Sequence, residues 1–286
     1  MRKTDYHIHP NYSVDAAPVT IDAYCAKAVD LELEEVCFTT HLEIDPDRRE
    51  SDNFVMVNGK KHSSFDWTWL DHYFAELREA QQAFKNTLSV KAGVEVGFFP
   101  GQERALERIL TNYPFDFVLG AIHCVNHMNI SSKQESTHFF QNSSLTTIRR
   151  DYFNTLRAAI ETGLFDSIAH VDLYLRYGLV HFGPAVLTVH RGVIEPIFAE
   201  MARRGMGLEI NTSSCRRGLK DFHPTRELIG LAADAGIRVF TVGSDAHALH
   251  ELGDNIDAAL ALLAEFNLTN HIFTQRQAFP YIYSSF

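Results

Sequence analysis

Residues 237–247 read IRVFTVGSDAH. A run of β-branched and aromatic residues ends at Gly243, and Asp245 and His247 follow two apart. The run reads as a strand. A helical pattern over 225–235 precedes it and stops at Gly236, and another over 254–266 follows it. This is one β-α unit with an acid and an imidazole at the C-terminal end of its strand. Moving outward, the same plan recurs. Strand-like runs occupy 3–8, 34–40, 88–96, 115–122, 165–171 and 206–211, and helical patterns occupy 20–33, 69–84, 103–110, 145–162 and 185–204. Gly163 and Gly205 stand where helices should stop. Seven β-α units result. Strict alternation implies parallel strands with right-handed crossovers, in an open sheet or a closed barrel. Neither GxGxxG nor GxxxxGK[ST] follows the first strand, which removes the usual nucleotide-binding reason for an open sheet. Two polar stretches, 45–66 and 127–144, fit the alternation poorly and read as long functional loops.

The strand ends carry the chemistry. His7 and His9 close the first strand, His41 follows the second, Glu95 ends the third, His123 the fourth and His170 the fifth. Asp245 and His247 lie just beyond the seventh. In a parallel barrel all these ends open on one face. His7 and His9, two apart, project to the same side of their strand. A lone histidine after a strand is ordinarily a hydrogen-bonded structural residue. Six of the fifteen histidines at one topological position form the ligand set of a borderline divalent metal such as Zn, Fe or Mn. The other nine, at 62, 72, 127, 138, 181, 190, 223, 250 and 271, read as surface or packing residues. Of these, His127, His223 and His250 fall on the same face as the ligands.

Composition narrows the function. A net charge of −10 over 286 residues disfavours a nucleic-acid partner, because such binding is driven by phosphate neutralisation. No apolar run reaches the ~18 residues of a membrane span. Four cysteines without a CxxC pair, and an opening Met-Arg-Lys that runs straight into a strand, lead us to expect a reduced, cytoplasmic chain.

In order, HIHPNYSVD (7–15), TTH (39–41), GVEVG (93–97), GAIH (120–123), IAHVDLYLRYG (168–178), LEINTSSCRRGLK (208–220) and GSDAH (243–247) resemble the motifs of the PHP (polymerase and histidinol phosphatase) superfamily. The fifth and sixth blocks most resemble its histidinol-phosphate phosphatase branch. The resemblance implies an α/β chain folded as a single domain over 1–286, a distorted (β/α)7 TIM-like barrel with its metal site at the C-terminal ends of the strands. It implies two to three divalent ions: one on His7, His9, Glu95 and Asp245, one on Asp15, His41 and His247, and one on Glu95, His123 and His170. It also implies a metal-dependent phosphomonoesterase of histidine biosynthesis, cleaving L-histidinol phosphate to L-histidinol and phosphate. Arginines are the expected phosphate contacts, since the guanidinium fork matches phosphate oxygens. Arg176 and Arg216 are placed there by their positions after the fifth and sixth strands. Asp15 and His247, or a metal-held water, are the expected proton donors to the leaving alcohol. The stretch NFVMVNGKKHSS after His41 and the SSCRRG in the sixth block depart from the family pattern, so another small phosphate ester or a nucleotide 3′ end stays open as substrate. An amidohydrolase-like C–N hydrolase also opens with HxH, but that class bridges its metals with a middle-strand lysine where this chain has Glu95. A metal-binding protein without catalysis is the remaining alternative.

Overall fold

The computed structural model of the chain describes residues 3–281. Seven strands run parallel: β1 Thr4–Ile8, β2 Glu35–Phe38, β3 Ser89–Gly97, β4 Phe117–Ala121, β5 Ser167–Ile168, β6 Gly207–Asn211 and β7 Phe240–Gly243. Each pairs with the next in chain order. A short strand, His41–Glu43, carries the line of β2 onward against β3, with His41 opposite Glu95. Ile8 bridges Ala246 in parallel, so β7 comes back to β1. The alternation therefore resolves as a nearly closed barrel rather than an open sheet.

The helices bury the faces that their spacing predicts. Trp69–Phe84 turns Trp69, Leu70, Tyr73, Phe74, Leu77 and Ala80 to the core. Leu145–Thr162 and Ile194–Arg204 end at Gly163 and Gly205, both at φ 68°, a conformation that costs glycine little. Sequence and structure part in four places. The pattern over 185–204 divides into a 3-10 stretch, Gly183–Thr188, and the helix Ile194–Arg204, because Gly192 sits at φ 75° between them. A helix at Leu175–Phe182 was not expected. The strand expected over 165–171 is only two residues long, since His170 at φ 23° leaves the extended region.

The polar stretches are structured rather than looped. Phe54–Val57 and Lys60–Ser63 form a hairpin about Asn58 and Gly59, at φ 50° and 73°, as a tight two-residue turn requires. The second stretch holds the helix Lys133–Gln141, where the Ser132 side chain caps the Glu135 N–H. A C-terminal hairpin, His271–Thr274 with Gln277–Pro280, closes the opposite end of the barrel. Its Phe273 packs with Tyr6 and Phe117, and its N–H donates to the Tyr6 hydroxyl at 2.6 Å. The four cysteines are free thiols, three of them buried. Among the described residues no helix is long and apolar enough to cross a membrane.

The seam between β7 and β1 has a buried support. Asp5 is fully buried and accepts the N–H groups of His7 (3.2 Å), Ser244 (2.9 Å) and Gly253 (3.0 Å). Asp5→Ala leaves three buried donors unpaired and is expected to cost roughly 4 kcal/mol. A urea midpoint lowered at unchanged m-value would show it, whereas an unchanged midpoint would assign the seam to β-bridging alone.

Candidate metal centre

Every residue expected at the strand ends arrives in one place. Glu95 stands at the middle of a ring of imidazoles. Its Oε2 lies 3.3 Å from His7 Nε2, 3.4 Å from His9 Nε2 and 2.9 Å from His41 Nδ1. Its Oε1 lies 3.2 Å from His123 Nε2 and 3.0 Å from His170 Nε2. Asp245 Oδ1 faces His7 Nε2 at 3.7 Å and His9 Nε2 at 3.5 Å. Asp15 stands at the rim, 3.5 Å from both His41 Nε2 and His247 Nε2. Three triads within the ring have donor atoms within 4.8 Å of one another: His7–His9–Glu95, His9–His41–His247 and His41–Glu95–His123. They share members, so the donors form one continuous field rather than three separate sets.

The donor set fits divalent cations. Nε2 of His7 and of His9, Nδ1 of His41 and Oε2 of Glu95 are buried and make no hydrogen bond. Unpaired buried polar atoms are costly, and a cation satisfies all four at once. Charge balance agrees. Burial would push the Glu95 carboxyl up, but His7, His123 and His41 outweigh it and hold it well below its ordinary value. Burial pulls His9 well below its ordinary value, and His247 and His41 add to the effect. Burial opposes protonation of His123 too, yet Glu95 and Glu43 lift it to about 9. His9 is thus held neutral with its lone pair free, while the carboxylates around His123 attract a positive charge for which a metal competes with the proton.

A second tier of carboxylates aims the ring. Glu209, in the middle of β6, accepts from His7 Nδ1 at 2.5 Å and from the His170 N–H at 3.0 Å. Glu43 accepts from His123 Nδ1 at 2.6 Å. With Nδ1–H committed to a carboxylate, Nε2 presents its lone pair to the centre. Both acids lie where a neighbouring strand has glycine. A Cβ on Gly243 would stand 2.6 Å from Glu209 Oε1, and one on Gly97 would stand 1.9 Å from Glu43 Oε2. Sequence reading missed both acids. The available signal was an acid inside an otherwise apolar strand, two residues before Asn211 in one case and two after His41 in the other.

The cavity over the ring has a volume of about 270 Å³, and both Arg176 and Arg217 line it. Arg176 Nη2 reaches Asp245 Oδ2 at 3.4 Å, and burial and the nearby Arg217 lower its pKa. The expectation for Arg216 needs correction. Its Nη2 donates to the carbonyls of Ser244 (2.9 Å) and Asp245 (3.1 Å), and its Nη1 donates to Asp254 at 3.3 Å. That fork braces the turn in which Asp245 sits at φ 55°, so Arg216 shapes the ligand turn while Arg217 faces the cavity. His223 is also off the ring, bonded through Nδ1 to buried Asp172 at 2.6 Å. His127 bonds Asp45 at 2.9 Å and packs at a tilt against Phe99, away from the ring.

Comparison with known proteins agrees with this architecture. A model of the PHP domain matches residues 5–213. The "Probable histidinol-phosphatase" of Deinococcus radiodurans is 29% identical over 260 residues, covering 87% of this chain and 88% of that one. The histidinol-phosphatase of Lactococcus lactis subsp. lactis is 24% identical over 249 residues, 86% of this chain and 85% of its own. The crystal structure of histidinol phosphate phosphatase from Lactococcus lactis, complexed with zinc, L-histidinol and phosphate, aligns at a TM-score of 0.76 with 20% identity, covering 97% of this chain and 99% of that one.

Proposed function

The chain belongs to the PHP domain family, and from that membership we propose that it is a metal-dependent phosphomonoesterase that hydrolyses L-histidinol phosphate to L-histidinol and phosphate. The histidinol-phosphatase names of its relatives support the substrate, as do the zinc, L-histidinol and phosphate held by the Lactococcus protein. One juxtaposition carries the reading: two guanidiniums face a carboxylate-centred ring of imidazoles across a single cavity. A phosphate monoester dianion repels nucleophiles, and its alkoxide leaves poorly. The cavity answers both difficulties.

His7, His9, Glu95 and Asp245 would hold one ion, Asp15, His41 and His247 a second, and Glu95, His123 and His170 a third. Zinc fits this donor set, and iron or manganese fit it as well. Such ions supply Lewis acidity toward phosphoryl oxygens and acidify a water for attack. The chain's own groups do the rest. Arg176 and Arg217 bind the phosphoryl oxygens and orient the ester, with Arg176 fixed by its contact to Asp245. Of Asp15 and His247, 3.5 Å apart on the rim, the one that does not hold the ion would hand a proton to the departing alcohol. Glu209 and Glu43 keep the imidazole ring aimed.

Phosphate release should be fastest from L-histidinol phosphate among small phosphate esters, with two or three metal equivalents bound. A kcat/KM for it orders of magnitude below another ester would overturn the substrate. Arg217→Ala should raise KM roughly tenfold or more with metal content retained, since a charge-assisted phosphate contact is worth ~1.5–3 kcal/mol. Loss of metal in that variant would instead make Arg217 a support of the ligand ring.

A further inference from the structure

The two guanidiniums over the ring stand on separate segments, and one buried pair ties those segments together. Arg176 lies in the first turn of the helix Leu175–Phe182, after β5, and Arg217 lies in the stretch that follows β6. The Arg176 fork is loosely held by its own contacts. Its Nε is buried without a hydrogen bond, and Nη2 reaches Asp245 only at 3.4 Å. The charge of Arg217 opposes its own. Two like charges on one cavity must therefore take their places from the backbones that carry them.

Asp172 and His223, both buried, join those backbones. Asp172 Oδ1 accepts from His223 Nδ1 at 2.6 Å, Oδ2 accepts the Thr225 N–H at 2.8 Å, and the Asp172 carbonyl accepts the Leu175 N–H at 2.9 Å. Asp172 thus holds the start of the Arg176 helix by its backbone and the far end of the Arg217 stretch by its side chain. His223 closes that stretch. Its N–H donates to the Asn211 carbonyl at 3.0 Å, and its carbonyl accepts the Asn211 N–H at 2.6 Å. Residues 211–223 form a loop pinned at its ends, with Arg217 inside it. Arg216 braces this loop toward β7, and the buried pair braces it toward β5. Close packing does not set the distance between the two segments. A cavity of about 230 Å³ is lined by Leu175 and Leu179 of the helix and by Leu219 and Phe222 of the loop.

Resting on the phosphatase reading above, we propose that Asp172 and His223 are positioning residues for phosphate binding, whose buried bond sets the spacing of Arg176 and Arg217. Neither lines the cavity over the ring, so they act through the arginines. A direct effect of charge has the opposite sign. Removing the Asp172 charge without moving an arginine would tighten an anion nearby, whereas losing the spacing weakens it.

The test measures inorganic phosphate binding by calorimetry on metal-loaded enzyme freed of excess metal, beside KM for L-histidinol phosphate. Asp172→Asn and His223→Leu should each weaken phosphate about tenfold and raise KM in parallel, with metal content retained. His223→Asn, whose Nδ2–H can replace the Nδ1–H, should stay near the wild-type Kd. Partial unfolding lowers the calorimetric stoichiometry and leaves Kd as it is, so a poorly folded variant still answers. Adding Asp172→Asn to Arg217→Ala should weaken phosphate little further, because the loop then has no guanidinium to misplace. Independent losses would multiply instead. Phosphate affinity that is unchanged or tighter in Asp172→Asn overturns the proposal, as do losses that multiply in the double variant. If the affinities follow the expected pattern while L-histidinol phosphate is not hydrolysed, the substrate is wrong and the pair is right. If it is hydrolysed while both single variants keep the wild-type Kd, the pair is wrong and the substrate is right.

Discussion

Glu95→Gln is expected to give a folded protein that has lost metal from the centre of its ring and hydrolyses phosphate esters at least a thousandfold more slowly. The reason lies in how many groups share this one side chain. Five imidazoles approach its two oxygens at 2.9–3.4 Å. A carboxylate can join two cations through its two oxygens, whereas a glutamine amide offers one oxygen and turns two N–H donors toward nitrogen lone pairs. Both the negative charge and the common ligand vanish together. Metal-assisted phosphoryl chemistry depends on charge stabilisation worth several kcal/mol, and each 1.36 kcal/mol is a factor of ten in rate. Elemental analysis beside steady-state kinetics checks this, with a thermal melt to show that the barrel persists. Full metal content with more than a tenth of wild-type activity would remove Glu95 from the bridging role.

The second large effect belongs to a residue that touches no cavity. Glu209→Gln should weaken metal binding by about 10–100-fold, the usual cost of losing a carboxylate behind a ligating imidazole. Glu209 fixes two ligands at once, His7 through its ring and His170 through its backbone, and Asn211 Nδ2 steadies it at 3.1 Å. Gly243→Ala should reproduce the defect by another route. Its Cβ would stand 2.4 Å from His7 Cβ, so strand or ligand must shift, at roughly 3 kcal/mol. Competition against a zinc chelator measures the first effect, and a denaturant midpoint measures the second. Unchanged zinc affinity in Glu209→Gln would mean that packing alone aims His7.

The convergence of these side chains was legible because parallel strands deliver their C-terminal ends to one face, and His7, His9, His41, Glu95, His123, His170, Asp245 and His247 all sit at such ends. Topology did the work of geometry there. What was illegible depended on phase and on partners. Arg216 and Arg217 are neighbours at the end of a four-residue helix, Ser213–Arg216, and a turn of ~100° between them decides which one meets the cavity. No sequence pattern sets that angle. Glu209 and Glu43 look like ordinary strand acids until the next strand shows a glycine beside them. The two polar stretches read as loops because each was taken alone, whereas Arg48 and Glu135, 87 residues apart, order them jointly. The helix at 185–204 failed at Gly192, whose positive φ outweighs an otherwise continuous apolar spacing.

The hairpin His271–Thr274 with Gln277–Pro280 also bears on how the chain comes into being. A chain emerging from the ribosome as far as His247 already owns every strand of the barrel and every residue of the ring. It lacks Phe273, and until that residue arrives Tyr6 and Phe117 face water at the open end. Pairing β7 to β1 joins segments more than 230 residues apart, a slow closure that must wait for most of the chain. For that interval the nascent barrel is ligand-complete but floorless, with aromatic surface exposed and available to chaperones or to other chains.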